Sequence, residues 1–577
     1  MRTSSVDRQA ASARAPRLGA VLDFAAGSHA RAAGVLVLVA LLAFLPGFFQ
    51  IGPVDRDEAR FAQATKQMLE SGDFIDIRYQ SEVRYKKPVG IYWLQAGAVS
   101  IGEALGVKEA PTAIWLYRLP SLAGAVGAVL LTYWAALAFV SRRSAVLAAL
   151  MMATSLMLGF EARVAKTDAM LLATAVAAMG AMSRAYLAEH RATASGERQA
   201  PGWALAAIFW TAVAGGVLLK GPLIALFVAL PAAVLAVVDR SARWLVRLRP
   251  LPGLLWLLLL VSPWFVAIMG RSGGAFLSES LGRDLLAKVY SGQEAHGAPP
   301  GYYFLLFWVT FWPAATLAGM AGPSVWAARR ERGARFLLAW IVPAWIVFEL
   351  VVTKLPHYVL PLYPAIAILI AGVVEPHVLA RERWLVRGTG WWFVLPVVLG
   401  IGGVVALIVL EQRLGLIAWP FAVAAVVYGL YAWRLYDSDG AETSLLRAMV
   451  ASLLLAIATY GVVLPQLASM FPSLSLARIV REAGCAEPHA AAAGYHEPSL
   501  VFLLGTRTEL VDGADAAEFL RQGACRFALV EGRHERSFLR RAQAIGLRYP
   551  PPVRVEGFNY SNGRAVSIAV YRSEAGP

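Results

Sequence analysis

The sequence predicts an α-helical protein that crosses a membrane many times and ends in one small α/β domain. Three observations predict it. Of the 577 residues, 58% are hydrophobic and only 16% are charged, where soluble globular proteins carry about 25% charged residues. Apolar runs close to the roughly 20 residues that cross a hydrocarbon core recur from residue 33 to 465. The basic residues gather in short loops between those runs, as membrane orientation requires. The net charge of +15 therefore needs no nucleic-acid partner. The same composition excludes disorder, collagen and coiled coil.

Residues 1–32 form an arginine-bearing leader with Arg2, Arg8, Arg14, Arg17 and Arg31. No A-x-A-like site closes the first apolar run, so it is expected to stay as a span rather than be cleaved. About thirteen spans are expected, near 33–50, 116–139, 145–162, 169–187, 204–219, 222–238, 251–270, 301–321, 336–352, 358–375, 391–410, 416–433 and 446–465. With that count the arginines at 142–143, 240–249, 329–335 and 381–387 all fall on the leader's side, which makes that side cytoplasmic. An odd count puts residues 466–577 outside.

The first outer segment, 51–115, is too polar to span as far as Lys87, and Val89 to Leu105 reads as helix lying in the interface. The tail alternates β-like runs (Ser499–Leu504, Phe527–Val530, Val566–Tyr571) with helical ones (Ala516–Arg521, Glu535–Ile545). Cys485 and Cys525 are the only cysteines and both lie in it. An oxidising compartment would allow them to bridge; two buried free thiols is the plainer reading.

Charged residues of both signs cluster at span ends on the outer side, and such residues are the ones to weigh for function. Asp55-Arg56-Asp57-Glu58-Ala59-Arg60 opens a helix just after the first span; acids there either cap the helix or do chemistry. Arg84-Tyr85-Lys86-Lys87-Pro88, with Tyr92 and Trp93, holds either lipid headgroups or one phosphate. Glu161, Arg163, Lys166 and Asp168 occupy a connection so short that they are expected to pair. Lys220-Gly221-Pro222 and Lys354-Leu355-Pro356-His357-Tyr358 are outer turns, and the segment 271–300 carries Glu279, Arg283, Asp284, Lys288, Glu294 and His296. Cations neutralise phosphate through charge-assisted hydrogen bonds, and a carboxylate can take a proton from an attacking group. A phosphate-bearing lipid ligand fits that combination. A transporter would want charges at mid-span and an inverted repeat, and neither is visible.

The run Asp57-Glu58-Ala59-Arg60-Phe61-Ala62, followed in order by the Lys87, Lys220 and Tyr358 turns, resembles the GT-C class of polyprenyl-phosphate-sugar glycosyltransferases. The bacterial lipid A aminoarabinose transferases and the protein mannosyltransferases are the nearest groups. The resemblance implies a GT-C helical domain and transfer of a sugar from a polyprenyl phosphate to lipid A, or another lipid or glycan, outside the bacterial inner membrane. A protein acceptor is the alternative. It implies Asp57, with Glu58 beside it, and Asp168 at the reaction centre. Lys87 would bind the donor phosphate, aided by Lys220 or Arg283, with Arg60, Arg84, Arg163 and Lys354 around it and Tyr358 lining the cavity. In the aminoarabinose transferases a glutamate and a histidine hold zinc where this chain has Lys86 and Ser280, so no metal or other cofactor is expected.

Overall fold

The computed structural model describes residues 18–195, 202–280 and 297–573. Among these, eight helices are long and apolar enough to cross a membrane: Ile114–Ala136, Asp168–Glu189, Trp203–Lys220, Pro250–Ser272, Arg332–Leu350, Pro356–Val374, Arg383–Glu411 and Tyr436–Gln466. A ninth arises if Tyr302–Thr310 and Ala315–Arg330, bent by 119°, count as one span. The chain is thus a multi-pass membrane protein, but the expected thirteen is not reached by length and composition. His29–Phe44 and Leu223–Val238 are apolar and shorter. The expected run 145–162 is broken into Arg142–Ala153 and Leu156–Glu161. At the break the Thr154 and Ser155 hydroxyls donate to the carbonyls of Leu150 and Met152, a side-chain competition that bends helices.

One end of the bundle is stitched by arginines. Arg143 pairs with Asp23 and Glu442, Arg247 with Glu189, and Arg335 with Asp239. The Arg143–Asp23 pair ties the helix Leu18–Ala26, inside the arginine-bearing leader, to the loop at 142–143.

The opposite end carries the first long loop and the tail. The loop folds into the helix Asp57–Ser71, a short hairpin pairing Arg78–Tyr79 with Glu82–Val83, and the helix Gly90–Ala104. One face of Gly90–Ala104 is buried, with Gln95 bonded to Thr65 and to the Ala165 carbonyl. Its other face leaves Trp93, Leu94 and Ile101 exposed, as an interfacial helix does.

The tail is a five-stranded sheet in the order Glu509–Val511, His489–Ala493, Arg526–Glu531, Arg564–Arg572, Val553–Asn559. The first three strands run parallel and the last two are antiparallel to their neighbours. Helices Pro472–Glu482, Pro498–Leu504, Gly513–Arg521 and Gly532–Ala544 cover it. Ser499–Leu504, expected as a strand, is therefore helix. Leu500, Val501, Phe502 and Leu503 are all buried, and a short run that is apolar all round has no period to tell helix from strand. Pro498 in the first turn tips it to helix. Cys485 and Cys525 are joined, their Cα atoms 5.7 Å apart.

Candidate active site

Two neighbouring acids open the helix Asp57–Ser71, and their environments differ completely. Asp57 is exposed, and no hydrogen bond or ion pair to its carboxylate is found among the described residues. Glu58 is 1% exposed. It accepts from Arg118 Nε and NH2 at 2.8 Å each, from the Val54 amide at 2.7 Å and from the Ala165 amide at 2.8 Å. Arg118, fully buried, also donates to the carbonyls of Phe48, Ile51 and Gly52. Glu58 is therefore the core of a bracket that joins the first loop to the helix Ile114–Ala136, with both carboxylate oxygens engaged, unlike Asp57. Arg118 was missed in the sequence; a lone charge inside an apolar span was its signal.

The chain enters this helix under strain. Arg56, just before Asp57, has φ 68° and ψ −108°, a region that costs a non-glycine residue about 1–3 kcal/mol. Asp55 is buried and accepts from the Ser499 amide of the tail at 2.8 Å. Burial pushes its carboxyl up to about 7, with Ser499 opposing and Glu497 adding to the rise.

The centre of the site lies where Glu161, Lys166, Asp168, Lys220 and His357 meet. Asp168 opens one helix and Lys220 closes another, each at the end where the helix dipole favours its charge. The two side chains form an ion pair. Lys166 donates to Glu161 at 3.0 Å and stands 3.7 Å from Asp168. His357 places Nδ1 3.5 Å from Glu161 and Nε2 3.5 Å from Asp168. Burial opposes the Lys166 charge, but Glu161 and Asp168, and Asp57 after them, outweigh it and hold the ammonium above its usual value. Asp57 thus acts on this cluster through its field.

The Lys87 turn meets the Lys220 turn. Gly221 has φ 64°, and a Cβ there would lie 3.9 Å from Pro88; at Gly90 a Cβ would come 2.7 Å from the Leu218 carbonyl. Glycine at 90 lets the helix start pack against Leu218, and glycine at 221 allows the positive φ of the Lys220 turn. Lys87 is half-buried and Lys86 exposed. Lys220 lies 5.5 Å over the Tyr358 ring, a cation–π distance. Arg84 stands 5.1 Å over Phe61 and acts on the buried Tyr92 hydroxyl, as Asp57 does. Arg60 acts on Asp55 and Tyr79 instead.

Two of the expected phosphate ligands are occupied elsewhere. Arg163, 3% exposed, donates to the carbonyls of Ala43, Pro46 and Gly159 and lies 4.1 Å over Tyr460. It closes the end of the helix His29–Phe44. Lys354, equally buried, donates to the Val351 carbonyl at the end of Arg332–Leu350. Arg283 lies outside the described residues.

Glu161, Asp168 and His357 could in principle hold a metal, with donor atoms within 4.8 Å of one another. Lys166 and Lys220 already neutralise both carboxylates, so a cation would have to displace two ammonium groups. The two lysines and a metal ion would compete for the same carboxylates. Glu161 and Lys166, expected from the short connection to pair, do so, and His357 of the Lys354 turn joins them; the sequence assigns none of the three a role of its own.

The family profile for dolichyl-phosphate-mannose-protein mannosyltransferase matches residues 35–270. The undecaprenyl phosphate-alpha-4-amino-4-deoxy-L-arabinose arabinosyl transferase of Pectobacterium carotovorum is 29% identical over 389 residues, 66% of this chain and 65% of that protein. The enzyme of the same name from Edwardsiella ictaluri is 28% identical over 431 residues, 70% of each. The match thus spans about two thirds of the length of these relatives. The crystal structure of ArnT from Cupriavidus metallidurans bound to undecaprenyl phosphate superposes with a TM-score of 0.70 at 20% identity, covering 94% of this chain and 99% of that one. In fold and in sequence the chain resembles the GT-C polyprenyl-phosphate sugar transferases, the aminoarabinose transferases among them.

Proposed function

We propose that this protein is a membrane glycosyltransferase that moves a sugar from an undecaprenyl-phosphate-type donor to an acceptor on the face carrying the tail domain. One observation carries the reading. An exposed carboxylate, Asp57, with no partner among the described residues, adjoins Glu58, which accepts from the Ala165 amide next to Lys166; Lys166 and Lys220 stand around Asp168, and the Lys87 turn packs against the Lys220 turn. The acceptor's nucleophile attacks the anomeric carbon, the bond to the donor phosphate breaks, and the nucleophile's proton passes to Asp57. Lys87 and Lys220 stabilise the charge that grows on the leaving phosphate. Asp168 holds Lys220 in place over the Tyr358 ring, and Arg60 and Arg84 are further cations for the donor phosphate.

Lipid A, or another lipid or glycan, is the acceptor favoured by the likeness to the arabinosyl transferases. The mannosyltransferase profile over 35–270 favours a protein acceptor as the second reading. The arginine distribution supports a cytoplasmic leader in a bacterial inner membrane, and the Cys485–Cys525 bridge supports an oxidising compartment for the tail. The test is the lipid A mass spectrum of a deletion strain beside its glycoprotein profile, complemented with wild type and Asp57→Asn. Asp57→Asn is expected to accumulate normally and to lose turnover by about 10²-fold or more. Near-normal turnover removes Asp57 from the mechanism, and an unchanged lipid A with altered glycoproteins selects the second reading.

A further inference from the structure

The residues immediately before Asp57 are held by the far end of the chain. The Asp55 amide donates to the Tyr560 hydroxyl, 505 positions later. The Asp55 carboxylate accepts from the Ser499 amide at 2.8 Å, and the Arg56 guanidinium donates to the Ser561 carbonyl. The turn that presents Tyr560 and Ser561 is itself braced. Asn559 donates to Glu497 at 2.7 Å, the Ser561 hydroxyl donates to the same carboxylate at 3.1 Å, and the Ser561 amide donates to Asn559 at 3.0 Å.

These contacts fall on a strained segment. Arg56 keeps φ 68° although it carries a side chain, and such a conformation persists only where its surroundings over-determine it. Asp57 is the next residue, so the direction of its carboxylate follows from the backbone of 55 and 56. Other tail contacts hold the body of the helix instead: Lys66 donates to the Phe502 carbonyl at 3.0 Å and Gln63 to Thr506 at 2.7 Å. The domain interface is therefore secured without the bonds at 55 and 56, which leaves those bonds a local task.

We infer that the C-terminal domain positions the Asp57 carboxylate, with Tyr560 as the positioning residue that acts through the Asp55–Arg56 backbone. This rests on the reading of Asp57 as the proton acceptor. Tyr560 acts through the backbone bond it accepts from Asp55 and sets the geometry of the carboxylate two residues on.

The test uses full-length protein in detergent carrying Tyr560→Phe, which removes the accepting oxygen and keeps the ring. Backbone hydrogen exchange across residues 54–58 is expected to quicken by about tenfold or more, since exchange reports local opening. Turnover of undecaprenyl-phosphate-linked 4-amino-4-deoxy-L-arabinose, read as released undecaprenyl phosphate, is expected to fall about tenfold in kcat, because a small misplacement of a reacting group is costly. The donor KM is expected to stay within about twofold. Arg56→Ala, which loses the Ser561 contact, is expected to behave in the same way, and Tyr560→Phe in an Asp57→Asn background is expected to add nothing. Unchanged exchange overturns the clamp whatever the kinetics. Faster exchange with unchanged kcat, while Asp57→Asn is inactive, overturns the positioning role and leaves Asp57 standing. An active Asp57→Asn overturns the catalytic reading itself, and the clamp then stands or falls on exchange alone.

Discussion

Glu58→Gln separates a bracket residue from a catalytic one. Each oxygen of Glu58 accepts two bonds: one from Arg118 Nε and the Ala165 amide, the other from Arg118 NH2 and the Val54 amide. However the glutamine amide turns, its NH2 group faces two N–H donors, so two of the four bonds are lost. Bonds to charged groups contribute about 1.5–3 kcal/mol each. Arg118 also keeps its charge at 0% exposure without its counter-ion, a state that costs several kcal/mol after breaking one partner. The expected loss is about 3–5 kcal/mol of stability. The assay is unfolding in mixed micelles by titration with a denaturing detergent, with turnover measured per folded molecule. Folded Glu58→Gln is expected to retain most of its turnover. A variant of normal stability that has lost turnover would refute the bracket and place Glu58 at the reaction centre.

If Lys87 binds the donor phosphate, Lys87→Ala should raise the donor KM far more than Lys86→Ala, with Lys87→Arg recovering only part, because a planar guanidinium does not replace a compact ammonium; equal effects in a donor titration would favour a lipid-headgroup patch. For Asp55, burial raises the folded-state carboxyl from 3.8 to about 7. The folded protein holds that proton more tightly than the unfolded one, so this contribution is fully present below pH 3.8 and is lost as pH rises through about 7. Asp55→Asn is expected to flatten that part of a thermal-stability profile between pH 5 and 8, and an unaltered profile would count against it. Because Lys166 and Lys220 neutralise Glu161 and Asp168, turnover is expected to survive a chelator; loss of activity restored by a single divalent ion would show that a metal displaces the lysines.

The membrane class, the helix after the first span and the helix at Gly90–Ala104 were legible in the sequence. Hydrophobic runs and charge position are local properties, and the lipid environment enforces them residue by residue. Asp57, Lys87, Asp168 and Lys220 stood out as charges at span ends, and Tyr358 through the resemblance alone. What the sequence could not supply was the use made of each charge. Asp57 and Glu58 are adjacent acids, yet one faces outward and the other is saturated by Arg118 and two amides. Arg163 reads as a phosphate ligand until the carbonyls of Ala43 and Pro46 are seen to take its donors. Ser499–Leu504, uniformly apolar, had no period to declare itself helix. The hold of Tyr560 and Ser499 on Asp55 joins residues more than 440 positions apart. A hydrogen bond or ion pair depends on which partner the fold brings within about 3 Å, and for these residues tertiary contact made that choice.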